Sequence, residues 1–148
     1  MKDRVLVARY LSEGKVMQLA TTALGQPWVC SVYFVADSDM NLYWLSLPSR
    51  RHSREIAQSN KVAVTVAVKP GQPVIGIQAE GTAAIVTDPA HIEAIMKRYI
   101  EKYGIGKDFY KNFIDGRNQH VMYRFTPGAF VLFDEVNFPE EARREINV

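Results

Sequence analysis

Residues 62–68, Val-Ala-Val-Thr-Val-Ala-Val, constrain the fold of this chain more than any other stretch. Large β-branched side chains alternate with small ones, and a period of two is the signature of a strand. β-Branched residues also pack well on a pleated surface. One face of this strand is bulky and the other is small, and a small face suits the tight interior or seam of a small barrel.

Other strands are expected around it. Residues 15–22 alternate Met17 and Leu19 against Gln18 and Ala20. The turn Leu24-Gly25-Gln26-Pro27 leads into residues 28–35, which predicts a hairpin. Asp37-Ser38-Asp39 makes the next turn before residues 41–47. Three strands in a row with short turns predict an antiparallel meander. Residues 74–87 form a long strand with Gln78, Glu80 and Thr82 on one face and Ile77, Ala79 and Ala83 on the other. Gly81 marks a bulge or bend. Two last strands, 119–125 and 129–134, flank a turn at Thr126-Pro127-Gly128.

Helices fill the gaps. Residues 2–13 place Arg4, Val7, Ala8 and Leu11 on one side and stop at Gly14. Asp88-Pro89 is an N-cap with Pro at the first helical position. Ile92, Ile95, Met96, Tyr99 and Tyr103 then trace an amphipathic helix closed by Gly104. Residues 108–114 fit a shorter helix. The charged tail 137–148 is expected to dock on the domain or on a partner. About seven short strands with helices as inserts predict a mainly β protein, an antiparallel barrel, in one domain spanning 1–148.

Several function classes drop out. A net charge of +2 on 148 residues is too mild for a nucleic-acid partner. Outside one turn the basic residues are scattered, apart from Lys97, Arg98 and Lys102 on the amphipathic helix. Residues 1–14 carry a charge every few positions, so no signal peptide is expected, and no stretch approaches a membrane span. The cytoplasm is the expected compartment, and a lone cysteine, Cys30, agrees with it. His52, His91 and His120 share no metal spacing with Cys30 or each other, so no metal is expected. Gly-rich phosphate loops and the Gly-x-Ser-x-Gly elbow are absent. Cys30, mid-strand, reads as an inert thiol. Trp28 and Trp44 read as core or interface aromatics, and Glu80 as a solvated carboxylate.

The stretch 41–60, NLYWLSLPSRRHSREIAQSN, carries the chemistry. Tyr43, Leu45 and Leu47 point one way from the strand, and Leu42, Trp44 and Ser46 the other. Pro48 ends the ladder. Ser49 is the expected helix N-cap, with Arg50, Arg51 and His52 in the first turn. Free amides and the positive end of a helix dipole meet two guanidiniums there, an arrangement suited to phosphate. The competing reading is a solvated basic turn.

This order of parts resembles the FMN-binding split barrel of the pyridoxamine 5′-phosphate oxidase type. The likeness runs over residues 16–133 and is most specific at Ser49-Arg50-Arg51-His52 following Tyr43-Trp44-Leu45-Ser46. It implies a cofactor, FMN, with Ser49, Arg50, Arg51 and His52 at the phosphate. It implies a flavin wall made by Trp44, Leu45 and Ser46 and by the preceding strand from Val29 to Phe34, with Val29, Cys30, Ser31 and Val32 at the cofactor. A glutamine that reaches the cofactor in the family corresponds to Gln72 by count, or to Gln78 further along. The vitamin oxidases place an Arg and a Lys around the second-strand segment, where this chain has Val29 and Phe34. They also end in an Arg-x-x-x-Arg segment, where this chain has Arg143-Arg144. The resemblance therefore implies a homodimeric oxidoreductase acting on another small molecule, with electrons carried by the flavin. Its alternatives are a non-catalytic flavin-binding or sensing module and a deazaflavin-dependent reductase of the same fold.

Overall fold

The computed structural model of the chain describes residues 2–148. Among these the chain runs α1 (Lys2–Glu13), β1 (Val16–Ala23), β2 (Gln26–Tyr33), β3 (Val35–Ala36), β4 (Leu42–Ser46), α2 (Arg51–Gln58), β5 (Lys61–Lys69) and β6 (Ile75–Ile85). It continues with α3 (Pro89–Tyr103), α4 (Lys107–Ile114), β7 (Val121–Asp134) and β8 (Arg143–Asn147). All strand pairs are antiparallel, in the order β2-β1-β5-β6-β7-β4-β3, with β8 beside β7. The sheet curls into a half-barrel, which is the mainly β architecture expected.

The valine strand β5 sits near the middle. Val62, Val64 and Val66 point into the main core, while Ala63, Thr65 and Ala67 face outward. The small face therefore does not line the interior as expected. The core side of β5 is already filled by Leu19, Ile77, Phe125 and Phe130, all fully buried, and needs bulk from every strand. Leu6, Val7, Tyr10 and Leu11 of α1 cover this core. Arg4 and Ala8, expected on that face, are exposed. The pairs 6–7 and 10–11 make a single helical stripe that excludes them.

Two other expectations are corrected, and that for the tail is met. Residues 119–134 are not two strands around a turn, because β7 runs unbroken through Thr126-Pro127-Gly128. That tripeptide is a bulge facing Glu80-Gly81, where the register shifts. Proline is tolerated at a bulge because its missing N–H falls where the ladder is interrupted. The tail docks on the domain, one of its two expected places, and does so as a strand, β8, against Ala129–Phe133. Secondly, β1, β2 and β4 form no meander. The β1–β2 hairpin is present, turned by Leu24 and Gly25 at φ 54° and 77°. Both positive values fit the tight turn whose twist matches paired strands. β4, however, pairs with β7 at the far end of the sheet.

The chain makes that crossing almost without a loop. β2 ends at Tyr33, β3 begins at Val35, and β3 pairs with β4. One extended stretch thus serves β1 with its first part and β4 with its last. Phe34, at the break, is fully buried.

β4 is covered on both faces. Leu42 and Trp44 enter the main core, and Tyr43 enters a second cluster with Ile95, Met96 and Tyr99 of α3 and Phe113 of α4. The helix α3 is set by Asp88, whose side chain accepts from the His91 N–H at 3.2 Å, and by Gly104 in left-handed conformation at φ 63°. α2 starts without a side-chain cap. Arg50, not Ser49, holds the N-cap position. The Arg50 N–H closes a turn on the Leu47 carbonyl at 3.1 Å, so the chain uses one more residue after Pro48 before the helix begins.

Candidate functional site

β2 pairs only with β1, so among the described strands its other edge is free. β3 covers the outer edge of β4 only at Leu42 and Tyr43, which leaves Trp44–Ser46 unpaired on that side. Between these two edges lies a groove of about 810 Å³, a size that suits a small ligand. Ser31, Val32 and Tyr33 form one wall, and Leu45, Ser46 and Leu47 form the other. Backbone donors and acceptors that the ladder does not use belong to both.

Helix ends close the groove. Arg50 and His52 come from the start of α2, Tyr99, Lys102 and Tyr103 from the end of α3, and Phe109 and His120 from α4 and the segment after it. Lys15 joins from the residue before β1. The charged groups here are all basic, and no carboxylate lines the groove.

At the α2 end, Ser46 Oγ and His52 Nε2 share a buried hydrogen bond of 2.6 Å. Burial, then the Arg50 charge, lowers the His52 pKa, so the imidazole is held neutral. At the α3 end two tyrosines repair the broken strand. The Tyr103 hydroxyl receives the Phe34 N–H at 3.2 Å and lies within bonding distance of the carbonyls of Lys15, at 2.9 Å, and Phe34. Tyr99 reaches the carbonyls of Tyr43 at 2.8 Å and Tyr33 at 3.2 Å. Burial is the first cause that raises the Tyr103 phenol to about 12. Lys102 is the exception in this polar set. Its Nζ is buried with no hydrogen-bond partner, 4.8 Å from the Phe34 ring centre and 5.7 Å from that of Tyr103. Burial, then the charge of Lys15, pushes it down to about 8.

The residues expected at the site divide between several places. Ser31, Val32, Leu45, Ser46, Arg50 and His52 line the groove. Ser49 is exposed beside it. Arg51 turns to another task. Its Nε donates to Glu55 at 2.8 Å, and its guanidinium lies 4.0 Å from the ring centre of Trp28. Glu55 also accepts from Thr21 at 2.8 Å, which ties α2 to β1. The Trp44 side chain is fully buried and stacks on Tyr123, so only its backbone belongs to the groove edge. Cys30 is half-buried against the main core, and burial raises its thiol pKa, as suits an inert thiol. Val29 and Gln78 lie on the outward face of the sheet, in a second groove of about 620 Å³ with Ala63, Thr65 and Arg143. Gln72 is in the exposed β5–β6 loop.

The sequence reading missed Lys15, Tyr99, Lys102, Tyr103, Phe109 and His120 as groove residues, whereas Tyr33 lies in the expected wall. Tyr99 and Tyr103 carried a signal: their hydroxyls on a buried helical stripe had to find partners. Among the described residues no helix is long and apolar enough to cross a membrane, and no group of three or more His, Cys, Asp or Glu could hold a metal.

Comparison with known proteins agrees with this architecture. Residues 6–129 match the sequence model of the family Pyridoxamine 5′-phosphate oxidase. No curated protein matches the chain. Among solved structures, a conserved hypothetical protein of Mycobacterium tuberculosis, Rv2991, superposes with a TM-score of 0.77 at 18% identity, covering 91% of this chain and 86% of that one. A candidate pyridoxamine 5′-phosphate oxidase of Listeria innocua gives 0.68 at 18% identity over 88% and 96%. The heme storage protein HutZ of Vibrio cholerae gives 0.64 at 20% identity over 83% and 88%. At these identities the likeness is one of fold.

Proposed function

The chain belongs to the pyridoxamine 5′-phosphate oxidase family, and on that premise we propose that its groove binds FMN and that the protein is a homodimeric FMN-dependent oxidoreductase of a small molecule. One observation carries the reading: a groove between two unpaired strand edges is lined by cations without a carboxylate. A flat heterocycle with hydrogen-bonding edges suits the strand edges, and a phosphate suits the cations. The buried, unpartnered Lys102 Nζ also fits an anionic ligand better than a neutral one.

FMN, when bound, supplies the electron transfer. The chain supplies position and charge. Arg50 offers a planar fork to the phosphate, and Ser46 and His52 offer a hydroxyl and an imidazole next to it. Backbone groups of Ser31–Tyr33 and Leu45–Leu47 orient the ring. The aromatic cover from Tyr103 and Phe109 keeps water from one side. A second copy of the chain would close the side that one half-barrel leaves open, as two-fold dimers commonly do.

A second reading, haem binding, is favoured by His120. Its Nδ1 lies 3.2 Å from the Asn118 carbonyl, which can only accept, so the proton sits on Nδ1 and the Nε2 lone pair is left for an iron. The visible spectrum of the purified protein separates the two, since flavin and haem absorb differently. Flavin bands, or uptake of added FMN, support the proposal. A protein that takes up no added FMN overturns it, and uptake of a deazaflavin alone identifies the deazaflavin-dependent alternative. Anaerobic mixing with NADPH then tests the enzyme: a bound flavin that NADPH leaves oxidised identifies a non-catalytic binder. Sedimentation with FMN fully bound should give a dimer.

A further inference from the structure

The phosphate occupies the α2 end of the groove, and the Lys102 charge at the α3 end has as yet no group of the ligand to meet. We propose that Lys102, with Lys15 beside it, forms a second anion contact that holds the negative charge of the reduced flavin along its N1–C2 edge. The inference rests on the FMN reading and assigns Lys102 and Lys15 a specific task within it.

The two cation sets lie apart. α2 docks against β1 and β2 at Thr21 and Trp28, through Glu55 and Arg51. Lys15 and Tyr103 meet the hairpin at its other end, where the Phe34 N–H reaches the Lys15 carbonyl at 3.1 Å. From Thr21 to Val16, β1 spans roughly 17 Å at about 3.4 Å per residue. A ligand whose phosphate sits at Arg50 and whose ring follows the strand edges is therefore directed toward Lys102.

The fold alone gives Lys102 no reason to be there. A cation in the last turn of α3 could serve the helix dipole. Its Nζ, however, bonds to no carbonyl of that turn or any other group. The rings of Phe34 and Tyr103 hold the ammonium in place without neutralising it. A second lysine faces the same groove, and like charges side by side oppose folding unless an anion arrives. Two electrons and one proton delivered to a flavin leave it with one negative charge, spread over N1 and the C2 oxygen. A lysine pair at that edge binds the reduced form better than the oxidised form and raises the reduction potential.

The test uses the full chain reconstituted with FMN, as wild type, Lys102→Met, Lys102→Arg and Lys15→Met. The two-electron midpoint potential is measured by anaerobic titration with dithionite, and the affinity for oxidised FMN by fluorescence. In Lys102→Met the preference for reduced over oxidised FMN should fall tenfold to a hundredfold, equivalent to a potential lower by roughly 30–60 mV. Affinity for oxidised FMN should change less than about threefold, because the phosphate end is untouched. Lys102→Arg should recover most of the potential. Lys15→Met, at an exposed residue that folding does not need, should shift it in the same direction by less. Unchanged potentials in Lys102→Met and Lys15→Met, with FMN bound, overturn this inference and leave the FMN reading standing. A wild type that does not bind FMN overturns both.

Discussion

Arg50 and Arg51 stand side by side in sequence with different partners. Arg51 is held by Glu55 and Trp28, and through Glu55 by Thr21 of β1. Arg50 lines the groove. Arg50→Ala should therefore weaken FMN by about ten- to a hundredfold, the loss of one charge-assisted contact, and leave riboflavin almost unaffected. Arg51→Ala should lower the melting temperature and weaken both ligands alike. Titration of each variant with FMN and riboflavin reads the difference, and equal losses in Arg50→Ala would place the phosphate elsewhere. Sequence alone could not divide these two residues. The Arg51–Glu55 spacing of four suits an ion pair on a helix, a signal the sequence reading did not use. The contact with Trp28 joins elements far apart in the chain, and nothing local announces it. The same holds for Lys102, which the sequence groups only with Lys97 and Arg98 on the amphipathic helix. Its burial depends on where α3 crosses the broken strand.

Among the elements, β5, α3 and the β1–β2 hairpin were legible because local pattern decides them: alternation, a capped amphipathic stripe, and a two-residue turn. β7 was not. Thr126-Pro127-Gly128 has the composition of a turn, and only the pairing of both halves with one partner, β6, keeps it extended. The bulge there is locked from the other side by Gly81. A Cβ at Gly81 would lie 2.1 Å from the Thr126 carbonyl oxygen and 3.0 Å from Pro127 Cα, both backbone atoms that cannot step aside. Gly81→Ala should cost about 3 kcal/mol, the upper end for overpacking, and lower the melting temperature by roughly 6–12 °C. Gly76→Ala, on the same strand, meets only the Val66 carbonyl at 3.9 Å and should be neutral or slightly stabilising. Thermal unfolding of the two variants makes the comparison. Similar melting temperatures would mean that the two strands separate at the bulge to admit a methyl group.

In the whole molecule, the order of strands was the least legible feature. The neighbours of β1 are β2 and β5, and those of β4 are β3 and β7. Each pairing is set by which faces must be covered, a property of the assembled core and not of any segment. A meander was the economical expectation because sequential strands usually pair. The break at Phe34 overrules it: Lys15 and Tyr103 satisfy the Phe34 backbone, so the chain can leave one end of the sheet and join the other at little cost. The same break produces the groove, since two strand edges face each other there without meeting.

That continuous stretch from β2 to β3 also has a dynamic consequence. Opening events in a sheet usually begin at its free edges and stay local. Here both terminal edges are parts of one strand, pinned at Phe34 by two hydrogen bonds. Fraying at one end pulls on the other, so the two should form one cooperative opening unit. In hydrogen exchange, the Phe34 amide and the β4 amides bonded to β7 should share a single opening free energy close to that of global unfolding. Tyr103→Phe, which removes one of the two pins, should lower that shared value at both ends together. If the β2 side opens far more easily than β4 in the wild-type protein, the two ends move independently. The groove would then breathe with its outer wall instead of keeping a fixed width.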